Sequence, residues 1–290
     1  MRPADPTIRT PLVVDAHVHV ASADRERFPL APSGVGSPWF HADDVGAREL
    51  SAAMHACGVH RAVVVQAVGA YGYDCSYAID AVRADRDRFA LVGAVDMDSA
   101  DPAGALAALA RRAGELLRGI RAFGAHAHRP SWPADGRADE VWALAGELGL
   151  TVVPVLFPDA LPRLGAVVAR HPDVPVALDH CGFVDLTGGT PFAAAAPLFD
   201  LAALPAMRVK VSTHVLNLAA VEGDPADLVD RLAQTFGADR MAWGSDHPQT
   251  AGSPYPAMVA LGRRAARRLS PADRDDFLGR TALSLWWSAT

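Results

Sequence analysis

A (β/α)8 barrel of the TIM type is the α/β fold that the sequence predicts, on three observations. Eight short runs rich in β-branched and apolar residues recur along the 290-residue chain. Stretches rich in Ala and Leu lie between them. Most of the runs are apolar throughout instead of alternating, as parallel strands covered on both faces must be. Such a barrel takes about 250 residues as one unit, so residues 1–290 are read as one domain. An open doubly wound sheet is the rival. It is disfavoured because no Gly-rich phosphate turn follows the first run.

The expected strands are residues 12–17, 62–66, 90–95, 119–123, 151–156, 174–179, 208–212 and 241–245. The first expected helix, 43–57, opens at acidic residues and stops at Gly58, a C-capping glycine. Residues 101–117 form a second helix, ending near Gly119, and 138–148 a third, ending at Gly149. Pro225 suits the first turn of a helix that runs to Phe236 and stops at Gly237. The last helix, 271–286, again opens on Pro after Ser270.

Composition excludes several classes. The 27 basic and 33 acidic residues leave a net charge of −6, with no clustered basic face for nucleic acid. Arg263, Arg264, Arg267 and Arg268 are spaced as a solvated helix face. No apolar run reaches the ~20 residues that span a bilayer, and residues 1–11 hold no apolar signal core. The expectation is a cytoplasmic protein. Three widely separated cysteines read as reduced thiols.

The polar residues at strand ends carry the chemistry. The first run ends Val13-Val14-Asp15-Ala16-His17-Val18-His19. Residues two apart on a strand face one side, so His17 and His19 point together at the C-terminal mouth, where barrels place their active sites. Two imidazoles held so can chelate one divalent cation. His180 ends the sixth run and Asp246 follows the eighth. An ionised Asp there can bind a cation or take a proton from water. Each alone is consistent with a closed strand or a core histidine; four at the strand ends of one barrel point to a site.

Those residues also carry a resemblance. Asp15-x-His17-x-His19 and Trp243-Gly244-Ser245-Asp246-His247-Pro248 resemble the amidohydrolase superfamily, which has a metal-dependent-hydrolase type of TIM barrel. Gln66 ending the second run, Tyr71-Gly72-Tyr73, Gly119-Ile120-Arg121 and Val209-Lys210-Val211-Ser212 are similar to the branch of 2-pyrone-4,6-dicarboxylate hydrolases and L-fuconolactonase or muconolactone hydrolases. The resemblance implies His17, His19, His180 and Asp246 as metal ligands or substrate neighbours, and Arg121 as a contact to substrate carboxylate. Some members of the branch work without metal, using the Asp as base. No Lys ends the fourth or fifth run to bridge two metals, so one zinc or none is expected. The C-terminal phrase departs from the family: Gly279-Arg280-Thr281-Ala282 has Thr where Asn is usual.

Other polar residues are candidates of a second rank. A guanidinium at a barrel mouth suits bidentate capture of a carboxylate or polarisation of a carbonyl, so Arg121 joins Asp246 and His180 as catalytic, with an ion pair at the rim as the alternative. Gln66, Tyr71, Tyr73, His126 and His214 are candidates for substrate binding. His126 and His128 lie in a Pro- and Gly-rich loop. Lys210, within the seventh run, is a candidate carbonyl-polarising group. Trp286 and Trp287 read as C-terminal packing or a contact in a homo-oligomer. The expected activity is hydrolysis of a lactone or related cyclic ester of a small, anionic substrate. The alternatives are zinc-dependent non-oxidative decarboxylation of an aromatic or muconate-type acid, and a barrel that binds a small molecule without catalysis.

Overall fold

Eight parallel strands pair in sequence order, β1 to β8, and roll into a barrel in the computed structural model, which describes residues 12–42, 45–123, 132–250 and 252–287. They are β1 (Val14–Val18), β2 (Arg61–Val65), β3 (Phe89–Asp96), β4 (Leu117–Phe123), β5 (Thr151–Val155), β6 (Val176–Leu178), β7 (Met207–Ser212) and β8 (Met241–Gly244). Each lies within two or three residues of its expected bounds. β6 is shorter than expected because Pro175 has no N–H to lend the ladder and the chain leaves the strand at Asp179.

Aspartate side chains cap two helices of the outer ring. Asp101 accepts from Gly104 N–H (2.7 Å) and Asp224 from Ala226 N–H (2.9 Å). The helix Pro102–Ala113 stops earlier than expected, because Gly114 turns the backbone to a φ of 56°. Pro225–Phe236 has the expected bounds. The expected last helix has a π turn, Asp276–Arg280, between Pro271–Asp275 and Thr281–Trp286. Gly279 in that turn touches β1 so closely that a Cβ would stand 2.2 Å from the Leu12 carbonyl oxygen. Arg267 and Arg268 pair with Asp224 and Asp227 on an exposed helix face.

Closure of the barrel falls to β1 and β8. At the C-terminal end, Asp246 N–H donates to the His17 carbonyl (2.8 Å) and His19 N–H to the His247 carbonyl (2.7 Å). Beside these bonds a buried carboxylate joins the two strands: Asp15 accepts from Ser245 N–H (2.8 Å), His17 N–H (3.1 Å) and the Tyr255 hydroxyl (3.1 Å). Burial pushes the Asp15 carboxyl up to about 6, against the pull of these donors.

The barrel interior is built of small side chains, among them Ala16, Ala90, Ala177 and Ala242, and is plugged by Trp286 from the C-terminal helix. Trp286 is 1% exposed, so it packs inside its own chain. Above the plug lies a polar layer, with Lys210 Nζ 5.6 Å from the Trp286 ring centre. Among the described residues, no helix is long and apolar enough to cross a membrane.

Candidate active site

A bulge aims the first histidine. The β1–β2 register shifts between Asp15 and Val18. Val13 and Val18 pack outward under the helices, whereas Val14 and Ala16 pack inside the barrel. The extra residue lets His17 turn inward next to Ala16. Gly244 on β8 makes room, for a Cβ there would come within 2.8 Å of the His17 Cβ. His19, two residues on, reaches the same spot.

Three donor atoms converge at that spot. Nε2 of His17 and Nε2 of His19 lie 3.2 Å apart, and Asp246 Oδ1 is 3.6 Å and 3.5 Å from them. A tetrahedral zinc site with bonds of roughly 2.0–2.1 Å has donor separations of about 3.3 Å. Asp246 Oδ1 is buried and makes no hydrogen bond of its own, which is the condition a cation would relieve. His19 Nδ1 donates to the Val65 carbonyl (2.9 Å), so its Nε2 lone pair faces the site. The donor set fits one divalent cation. His180 stands in an adjoining group with His17 and Asp179, and not in this trio.

Backbone strain holds the other two groups. His180, Cys181 and Phe183 all have positive φ (51°, 51° and 52°), as does Asp246 (59°). Non-glycine residues are held in this region only where surrounding structure forces it, often at functional sites. The strain turns His180 back over the mouth, where Nδ1 shares a hydrogen bond with Ser212 Oγ (2.8 Å). Its ring centre is 4.8 Å from that of His17.

Beneath the trio lies a buried charge network. Asp179, with no exposed surface, receives Arg121 Nε (2.9 Å) and Lys210 Nζ (2.9 Å), and its Oδ1 is 3.1 Å from His17 Nδ1. Burial opposes ionisation of Asp179, but Lys210, His17 and Arg121 outweigh it and hold the carboxyl well below its ordinary range. Burial also drives His17 far down, with the Lys210 charge adding to it, so the imidazole is neutral at pH 7. His180 is held down to about 4 by burial, against the pull of Asp246 and Asp179. Burial works against the Asp246 anion too, but its contacts to His180, to His19 (a hydrogen bond among them) and to His17 outweigh it and hold the carboxyl below its ordinary range.

The pocket over this floor has a volume of about 470 Å³, within the range of small-molecule sites. Arg121, His180, Asp246, His19 and His214 line it. The other sequence candidates stand elsewhere. Gln66 Nε2 donates to the carbonyls of Gly72 (2.8 Å) and Asp74 (3.0 Å), holding the turn after β2. The Tyr71 hydroxyl accepts from Ser22 N–H (2.8 Å). Tyr73 packs behind the pocket wall against Phe123. His126 and His128 lie outside the described residues.

Asp179 and Ser212 were missed by the sequence reading. Asp179 is a carboxylate ending an apolar strand directly before His180, which is a usable signal. Ser212, which also caps the helix Thr213–Ala219, gives none. The aromatic lining from Trp39, Phe157 and Phe183 was missed too, because those residues lie outside the strands, in or beside short 3-10 turns.

The amidohydrolase family matches residues 14–286. The chain belongs to the amidohydrolase family. A curated relative, the L-fucono-1,5-lactonase of Burkholderia ambifaria, is 29% identical over 244 residues, or 81% of this chain and 80% of that one. An amidohydrolase from Burkholderia multivorans has been solved with bound zinc. It is 25% identical, covers 94% of this chain and 98% of its own, and superposes with a TM-score of 0.70. A Pseudomonas putida protein proposed to be a 2-pyrone-4,6-dicarboxylic acid hydrolase shares the fold, with a TM-score of 0.70 at 22% identity over 95% of this chain and 97% of its own. This amidohydrolase is therefore a hydrolase built on the barrel that the sequence predicts.

Proposed function

We propose that the protein is a lactonase that opens a cyclic ester with Asp246 as the base. One observation carries the reading: Asp246 Oδ1 is buried and without a hydrogen bond, and it faces the Nε2 atoms of His17 and His19 at the pocket floor. A water held there gives a proton to the carboxylate as its oxygen bonds to the lactone carbonyl carbon. Arg121 lines the same floor and presents donors to the carbonyl oxygen as it becomes negative. The ring C–O bond then breaks, and the proton on Asp246 passes to the departing ring oxygen. The product is a hydroxy acid.

His17, His19 and Asp246 would hold one zinc ion. When bound it would polarise the carbonyl and favour ionisation of water. Arg121 also favours a substrate that carries an anionic or strongly polarised group. The lactonase named among the relatives supports the reaction class, and the zinc-bound relative supports the cation.

The test is a pH-indicator assay of acid release from γ- and δ-lactones, with zinc measured on the same sample. Ring opening that is abolished in Asp246→Asn is the expected result. Carbon dioxide release from aromatic or muconate-type acids, with no lactone opened, would overturn the proposal.

A further inference from the structure

We infer that the Lys210 ammonium closes a second cation position inside the barrel and so directs a divalent ion to the mouth, an inference that rests on the zinc reading of His17, His19 and Asp246 and not on lactone opening.

The floor holds two donor sets, and His17 belongs to both. Its Nε2 faces His19 and Asp246 in the upper set. Its Nδ1 lies 3.1 Å from Asp179 Oδ1, close to the donor separation of about 3.3 Å around tetrahedral zinc. His180 completes this lower set: one donor atom from each of His17, Asp179 and His180 lies within 4.8 Å of the others, and all three residues are buried. Each set offers two imidazoles and one carboxylate, so donor type does not choose between them. Position matters for function, because an ion acts on water or a carbonyl only where these can reach it. His19 and Asp246 line the pocket, whereas Asp179 has no exposed surface.

Lys210 makes the choice. Its Nζ lies 2.9 Å from Asp179 Oδ1 and 2.8 Å from His17 Nδ1, the two atoms that an ion in the lower set would need. The ammonium fills that space and supplies the positive charge that a buried carboxylate requires. Arg121 pairs with the other oxygen, Oδ2 (2.9 Å), and leaves Oδ1 to Lys210. Lys210 is itself buried over the Trp286 ring, so an incoming ion would have to part a buried charge from its partner. The upper set has no such internal cation. Asp246 Oδ1 makes no hydrogen bond, and among the described residues no Lys or Arg forms an ion pair with Asp246.

The test measures zinc affinity, by competition with a chromophoric chelator, in the parent, in His19→Ala and in Lys210→Ala/His19→Ala. His19→Ala breaks the upper set while Lys210 keeps the lower one closed, so affinity should fall ~100-fold or more, beyond the scale of outer-shell changes. Adding Lys210→Ala should recover about tenfold or more of that loss, because His17 Nδ1, Asp179 and His180 are then free to bind. Asp179→Asn in the double variant should remove the recovery. Parent-like affinity in His19→Ala, or no recovery in a folded double variant, would overturn the inference. If the double variant does not fold, anomalous diffraction from parent crystals soaked in zinc decides. A peak beside His17 Nε2 with Lys210 in place is expected, and a peak beside His17 Nδ1 would overturn the inference. A parent that takes up no zinc ends the reading of the trio as a zinc site. The role of Lys210 then stands if the double variant binds zinc and falls if it does not.

Discussion

Lys210 Nζ lies 2.8 Å from His17 Nδ1, the ring nitrogen opposite the one that faces Asp246. Asp179 Oδ1 is 3.1 Å from the same nitrogen. The two neighbours ask for different tautomers. A carboxylate accepts from Nδ1–H, which leaves the Nε2 lone pair free to bind a cation. An ammonium can only donate to Nδ1, which places the ring proton on Nε2. Lys210 is 1% exposed and also donates to Asp179 Oδ1 (2.9 Å). That contact makes Lys210 a candidate positioning residue, one that would work through His17.

Removing one competitor should therefore change zinc affinity. Lys210→Met keeps an unbranched side chain over Trp286 and leaves Nδ1–H to Asp179 alone. Zinc should bind about tenfold more tightly, the scale of outer-shell effects on metal sites. Asp179→Asn should weaken it by a similar factor. Competition against a chromophoric chelator measures both. Weaker binding in Lys210→Met would refute the competition.

Asp246→Asn preserves size and removes basicity. Turnover of an opened lactone should fall ~10²-fold or more, the scale of a lost general base, while circular dichroism stays native. Parent-like turnover in a folded Asn variant would remove Asp246 from the chemistry.

Arg121 donates its Nε–H to Asp179 Oδ2 (2.9 Å) and lines the pocket. Lysine keeps the charge and loses the planar fork, so it cannot hold Asp179 and face the substrate in the same way. Arg121→Lys should raise KM about tenfold for a lactone bearing a carboxylate. The effect on an uncharged lactone should be smaller. Equal effects on the two would assign Arg121 to the floor's structure alone.

Asp15 gives a pH prediction. Its carboxyl is pushed up from 3.8 to about 6 in the folded protein, by burial. The folded state therefore holds a proton that the unfolded chain has lost. The stability that Asp15 contributes is fully present below about pH 4 and declines as pH rises through about 6. The span is on the order of 3 kcal/mol. Asp15→Asn can accept from Ser245 and His17 and donate to the Tyr255 oxygen, with no proton to lose. His17 and His180 have lowered values and run the other way, so the readout is the difference between variant and parent. Urea midpoints should show Asn gaining on the parent between pH 4 and pH 6 and holding that gain above. A constant difference across that range would contradict the argument.

Much of this molecule is legible in one sequence. Continuous apolar runs place every strand, because a strand covered on both faces tolerates almost nothing else. Helix ends follow from Pro225, Gly149 and Gly237, because such signals are local chemistry. His17, His19 and Asp246 stand out because they interrupt or end such strands. What the tertiary structure alone decided is how these groups face one another. The bulge in β1 turns His17 inward, and it depends on pairing with β2. Asp179, Lys210 and Arg121 sit on β4, β6 and β7 or just beyond them, dozens of residues apart, and only barrel closure makes them one network. The turn that carries His180 is strained, so local preference argues against it and packing must impose it. Gln66 shows the reverse: a polar strand end that looks ready for substrate is used up by two backbone carbonyls six and eight residues away. Propensity and pattern act through near neighbours in the chain, whereas a site is set by distances across the barrel.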